Sequence, residues 1–142
     1  MTKMSAKSAT ILVDDSGGTP RDISGDVTSF EIDDGLEAVD VTGFTNLVHQ
    51  YVGGLTSGKI TLNTLWNTAA TTGSTTVITG IKGSATSKTV LISPEGSGWN
   101  YSGEFLCLGS KASGVPAGAI ELGSIEFVVF AGQSAPAWSA SS

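Results

Sequence analysis

Residues Thr28–Thr42, TSFEIDDGLEAVDVT, constrain the fold more than any other stretch of the chain. Apolar and polar residues alternate through it, the two-residue period of a strand whose faces meet different surroundings. At its centre stands Asp34-Gly35, a pair suited to a type I′ turn because both positions there need positive φ. The expectation is a hairpin with Asp33 opposite Leu36, Ile32 opposite Glu37, Glu31 opposite Ala38 and Phe30 opposite Val39. Phe30, Ile32, Val39 and Val41 then share an apolar face, and Ser29, Glu31, Asp33 and Asp40 an acidic one. Both arms agree on which face is apolar, as a fixed register requires.

The same period recurs at Thr10–Asp14, Gly58–Asn67, Lys88–Ser93, Asn100–Ser110 and Ile120–Ala131. In Gly58–Asn67, Ile60, Leu62 and Trp66 point one way, and Lys59, Thr61, Asn63 and Asn67 form the polar set. Gly123-Ser124 interrupts the last run and predicts a bulge. Glycine-rich and proline-containing clusters at Asp15–Pro20, Pro94–Gly98 and Ala112–Ala119 predict turns. Thr68–Gly83 is the one helix candidate: Ser74 or Thr75 can cap it, and Val77, Ile78 and Ile81 make a narrow apolar stripe. Gly43–Ser57 reads as a long connection. Phe44, Leu47, Val48, Tyr51, Val52 and Leu55 are too apolar for a solvated loop, so they are expected to form contacts between subunits. The 142 residues suit one domain. The expectation is an all-β domain with one short helix and soft ends at about residues 1–8 and 133–142.

Little in the chain suits catalysis. Cys107 lies in an apolar run that suppresses its thiolate, and the single histidine, His49, reads as a solvent-facing loop residue. Neither supports a nucleophile–base pair or a multi-histidine metal centre, and no cofactor is implied. The glycine clusters lack the strand–loop–helix setting of a phosphate cradle. Asp33, Asp34 and Glu37 lack the alternate spacing of a calcium loop, and carboxylates along a flat strand face imply no glycosidase cleft. Trp99 and Tyr101 share a strand face and leave a carbohydrate-binding module as a rival reading. Only 14% of residues are charged, 7 basic against 13 acidic, for a net charge of −6. Typical domains carry about 25%, and a nucleic-acid reader needs a basic patch. The opening residues contain no apolar core of signal length and no run long enough to span a membrane, so synthesis in a cytoplasm is expected.

The order of motifs resembles the tail tube, or major tail, proteins of tailed bacteriophages. Arg21-Asp22-Ile23-Ser24-Gly25-Asp26-Val27-Thr28-Ser29 precedes Val39-Asp40-Val41-Thr42-Gly43-Phe44. Then come Gly54-Leu55, the run Lys59–Asn67, Tyr101-Ser102-Gly103-Glu104, and a last strand ending at Phe130-Ala131-Gly132. The resemblance covers roughly residues 20–132, and Thr64 and Leu65 stand where that family often has glycine. It implies a β-sandwich or barrel with a flanking helix, a structural virion protein and no enzyme. Six copies would form a ring whose inner sheets close into a barrel, and rings would stack into a hollow tail tube assembled in the host cytoplasm. The implied partners are other copies, a tape-measure protein, and the terminator and baseplate proteins at the tube ends. DNA would pass in transit without sequence-specific binding, and no membrane is involved. In such a tube Ser29, Glu31, Asp33, Asp40, Lys59, Thr61, Asn63 and Asn67 would line the lumen. A capsid-decorating or head–tail joining protein of the same fold is the alternative.

Overall fold

Alternating β-branched and aromatic residues favour extended backbone wherever one face can be buried. The computed structural model describes residues 6–96 and 98–140. Within them lie a 3-10 turn at Ala6–Ser8, eight strands and one α-helix. The strands are β1 (Thr10–Asp14), β2 (Pro20–Asp22), β3 (Val27–Asp40), β4 (Tyr51–Leu65), β5 (Lys88–Ser93), β6 (Trp99–Ser113), β7 (Glu121–Val129) and β8 (Ala137–Ala140). The helix, α1, spans Ser74–Ile81 between β4 and β5.

All neighbours pair antiparallel in the order β2-β1-β5-β6-β7-β4-β3, with β8 joining the start of β6. The long strand β6 pairs with β5 through Tyr101–Phe105 and with β7 through Phe105–Ser113. Ile11, Val13, Val90 and Ile92 from one wing share a single core with Ile60, Leu62, Ile125 and Phe127 from the other. A flat sheet could not bring both wings together, so the sheet folds over on itself with β6 common to both halves. The expected all-β fold with one short helix is therefore present, and the sheet remains open.

The helix lies inside the expected stretch and buries Val77, Ile78 and Ile81. Its N-cap is Gly73, not Ser74 or Thr75. Those two side chains instead tie the helix to the end of β4: Ser74 Oγ donates to the Leu65 carbonyl at 2.8 Å, and Thr75 Oγ1 accepts from the Asn67 N–H at 3.1 Å. The expected bulge at Gly123-Ser124 is also present, for β7 takes three steps from Ile125 to Leu122 while β4 takes two. Ser124 adopts a positive φ of 51° there.

The Asp34-Gly35 hairpin does not form. β3 runs straight through both residues and pairs with β4 from Val27↔Thr64 to Asp40↔Tyr51. The longer ladder sets Phe30 and Ile32 beside Leu62 and Ile60, both fully buried; the local turn would have given Ile32 the polar Glu37. Much of the expected connection is consequently strand, and the chain reverses between Asp40 and Tyr51. Trp66 falls beyond the end of β4 and is half-exposed, not core; the buried place on that face belongs to Thr64. The tail expected to be soft supplies β8, with Tyr101↔Trp138 among its pairs. At the other end, residues 1–5 of the expected soft start lie outside the described residues.

Candidate functional site

The sheet segment β3-β4-β7-β6 has one face on the core and one polar face. Because directly paired residues share a face, Glu31↔Thr61↔Glu126 and Asp33↔Lys59 fix the polar set. Ser29 and Asn63 join it: the Asn63 amide donates to Ser29 Oγ at 2.8 Å, and its Oδ1 accepts from the Ser124 N–H at 3.0 Å. Asn63 thus ties three strands across their outer surface. Lys59 Nζ lies 3.0 Å from Glu126 Oε1. On β6, Ala112 pairs with buried Leu122, so Lys111 and Ser113 on either side of it face outward with the polar set.

Two residues expected on this face lie elsewhere. Asn67 stands past the end of β4. Its amide donates to Asp26 at 3.0 and 3.2 Å and its Oδ1 accepts from the Ala69 N–H, which fixes the approach to α1. Asp40 sits at the far end of β3. β3 keeps its alternation here, because the irregularity near Leu36 adds its extra residue to β4; Asp40 therefore has the parity of Phe30 and Ile32. Its carboxylate accepts from the Thr42 hydroxyl and N–H, which hold its pKa below the usual range, with His49 nearby at 3.6 Å.

Both margins of the segment are open strand edges among the described residues. β3 pairs only with β4. Along β6, β5 stops at Phe105, and Lys82 and Gly83 touch at Cys107; from Leu108 to Ser113 the side away from β7 has no strand. Three successive antiparallel steps leave β3 and β6 running in opposite directions.

The outer parts of β3 and β4 form an arm that carries exposed apolar residues on both strands and at its tip. Phe44 and Leu47 are fully exposed, Leu55 is 79% exposed, and Val48, Tyr51 and Val52 are at least half-exposed. Leu36, missed in the sequence because the hairpin placed it beside the turn, is 63% exposed. So many large apolar side chains exposed together are unusual on the surface of a single chain.

The rival chemistries lose their geometry. Cys107 is buried and its thiol pKa is pushed up by desolvation, while His49 is exposed at the arm. Tyr101 is completely buried against Trp138, ring centroids 5.1 Å apart, so it cannot stack a sugar beside Trp99. No group of three or more potential metal ligands converges among the described residues.

No protein-family model matches the sequence, and no curated protein matches it. Solved structures match in fold. A chain from the virion of a native gene transfer agent particle aligns with a TM-score of 0.74 at 18% identity, covering 99% of this chain and 100% of that one. A chain from the tail of an empty gene transfer agent particle with C6 symmetry gives 0.73 at 18% identity, covering 95% and 100%. A chain from the baseplate of the anti-feeding prophage, six-fold symmetrised, gives 0.61 at 10% identity, covering 98% and 97%. The protein has the fold of these tail and baseplate chains over essentially its whole length.

Proposed function

We propose that this protein is a structural subunit of a hollow virion tail tube, built from stacked rings of six copies. The observation that carries the reading is the polar-faced segment β3-β4-β7-β6, open at both edges, in a chain with the full-length fold of chains from six-fold tail particles. An unprotected edge is a template for another chain. Because β3 and β6 run oppositely, the β3 edge of one copy meets the β6 edge of the next as another antiparallel pair. Repeating this head-to-tail contact around an axis closes a barrel and removes the edges.

The core faces of each subunit pack on themselves, so the polar face, with Ser29, Glu31, Asp33, Lys59, Thr61 and Asn63, turns to the lumen. The arm, with Phe44, Leu47, Val48, Tyr51, Val52 and Leu55, covers its apolar surface against neighbouring copies. The chain acts as one domain. Its other partners are a tape-measure protein before ejection, DNA in transit, and terminator and baseplate proteins at the tube ends. Assembly takes place in the host cytoplasm and the product resides in the virion tail.

Electron microscopy of the purified protein tests the reading. Rings or hollow tubes with six-fold symmetry are expected. Protein that stays monomeric at every concentration and salt, or that only decorates capsids, would overturn it.

A further inference from the structure

We propose that successive copies in the ring are keyed by charge: Lys82 and Lys111 at the open β6 edge of one subunit engage Glu31 and Asp33 at the open β3 edge of the next, a lock that rests on the ring reading above.

The sign of charge alternates strand by strand across the polar face. β3 carries Glu31 and Asp33, β4 carries Lys59, β7 carries Glu126, and β6 carries Lys111. Inside the subunit adjacent strands answer one another: Lys59 is ion-paired with Glu126 and lies directly opposite Asp33 in the ladder. At the margins the series ends on Lys82 and Lys111 beside β6 and on Glu31 and Asp33 of β3, none of which makes an ion pair among the described residues. Arg21, Lys59 and Lys88 are held internally, by Asp15, Glu126 and the Ser16 carbonyl respectively. Lys82 and Lys111 are exposed, make no ion pair among the described residues, and line one shallow hollow of about 500 Å³ beside the open edge, which Glu126, ion-paired with Lys59, also lines. Glu31 and Asp33 are likewise exposed and unpaired, for the Lys59 ammonium has gone to Glu126.

A strand added beyond basic β6 continues the alternation only if it is acidic, and a strand added before acidic β3 only if it is basic. The two margins of one molecule therefore complement each other, and neither complements itself. This charge pattern favours a head-to-tail contact and disfavours a symmetric dimer through either edge. Side chains paired across an antiparallel joint lie about 4.5–5.5 Å apart at Cβ, within reach of a lysine. Single exposed ion pairs add little stability, whereas like charges set face to face exclude a wrong joint. The lock thus acts on assembly and leaves the fold of each subunit unaffected.

Two double variants test it. Glu31→Lys with Asp33→Lys makes both margins basic, and Lys82→Glu with Lys111→Glu makes both acidic. Each variant should retain the circular dichroism spectrum and melting temperature of the wild type. At about 0.01 M salt, where the Debye length is about 30 Å, each variant alone should need at least about tenfold more protein than wild type to form rings or tubes. At about 1 M salt, where screening acts within about 3 Å, the deficit should disappear. An equimolar mixture at low salt should assemble within about threefold of wild type, because alternating copies restore opposite charge at every joint of an even-numbered ring. If either folded variant assembles alone as readily as wild type at low salt, or the mixture fails to recover, the lock is wrong. A wild-type protein that never assembles overturns the ring itself, and the lock with it.

Discussion

Tyr101 shows how closely residues from distant parts of the chain meet at one point. Its ring is completely buried, yet its hydroxyl has no hydrogen-bond partner. Trp138 of β8 packs on it, and Pro136, just before β8, fits beside it because Gly58 and Gly103 lack side chains. A Cβ at Gly58 would lie 2.5 Å from Pro136 Cγ and 2.6 Å from Tyr101 Oη; one at Gly103 would lie 2.6 Å from Pro136 Cβ. Gly58→Ala should therefore cost about 1–3 kcal/mol by overpacking and loosen Trp138. Denaturant melts and a red-shifted tryptophan emission check this. Tyr101→Phe removes an unsatisfied buried group and should leave stability unchanged or raise it by about 1 kcal/mol. Burial, with smaller contributions from Asp34 and Asp33, pushes the Tyr101 phenol from 10.0 up to about 12. The raised pKa means that the folded state keeps this proton after the unfolded chain has released it. Stability from this group is complete below about pH 10 and falls as pH climbs through the window to about 12. Melting temperatures across that window should decline more steeply for wild type than for Tyr101→Phe; parallel curves would assign the decline to other groups.

At the scale of elements, the β3–β4 arm has backbone pairing without a core beneath its outer half, so its amides should open far more readily than those of β4 near Ile60 and Leu62. In the proposed ring its apolar residues would be covered by neighbouring copies. Hydrogen exchange of residues 44–55 should slow by at least about tenfold between monomer and tube; equal exchange in both states would exclude the arm from subunit contacts. The arm is also where the sequence was hardest to read. Asp34-Gly35 satisfies every local requirement of a tight turn, and the alternation on either side agrees with it. The competing ladder lies about twenty residues farther along, where Tyr51–Ser57 offers two glycines and no clean period. A short local rule cannot weigh that partner against the turn. The helix was legible because Val77, Ile78 and Ile81 carry its stripe within a short window. The polar face was legible along each strand, since Glu31, Asp33, Lys59, Thr61 and Asn63 follow the two-residue period. Lys111 was not, because β6 bulges near Leu108 and loses its period just before it. Asn67 and Trp66 were misplaced by extending the β4 alternation past Leu65, where the chain turns toward α1.

At the scale of the whole molecule, a lumen lined by this polar face would act on any polyanion that passes through it. The chain has a net charge of −6, and the cations of its polar face are already answered: Lys59 by Glu126, and Lys111, in the proposed ring, by β3 of the next copy. DNA held to such a wall would need cationic groups to release its counterions, and on β4 and β7 the lysine of this face is already occupied. Thr61→Lys with Glu126→Gln reverses that condition: it adds one cation and frees another per copy, on the inner strands and away from the β3 and β6 edges. The fold should survive, since an exposed ion pair contributes at most about 1 kcal/mol, and rings should still close. Each ring would then present a band of lysines to the passing phosphates. Ejection of DNA from particles carrying this variant should be slowed several-fold at low salt and recover as salt rises, with the steep dependence of counterion release. Wild-type particles should show neither effect. Normal ejection at low salt, from particles in which the variant tube is demonstrated, would place this face outside the channel.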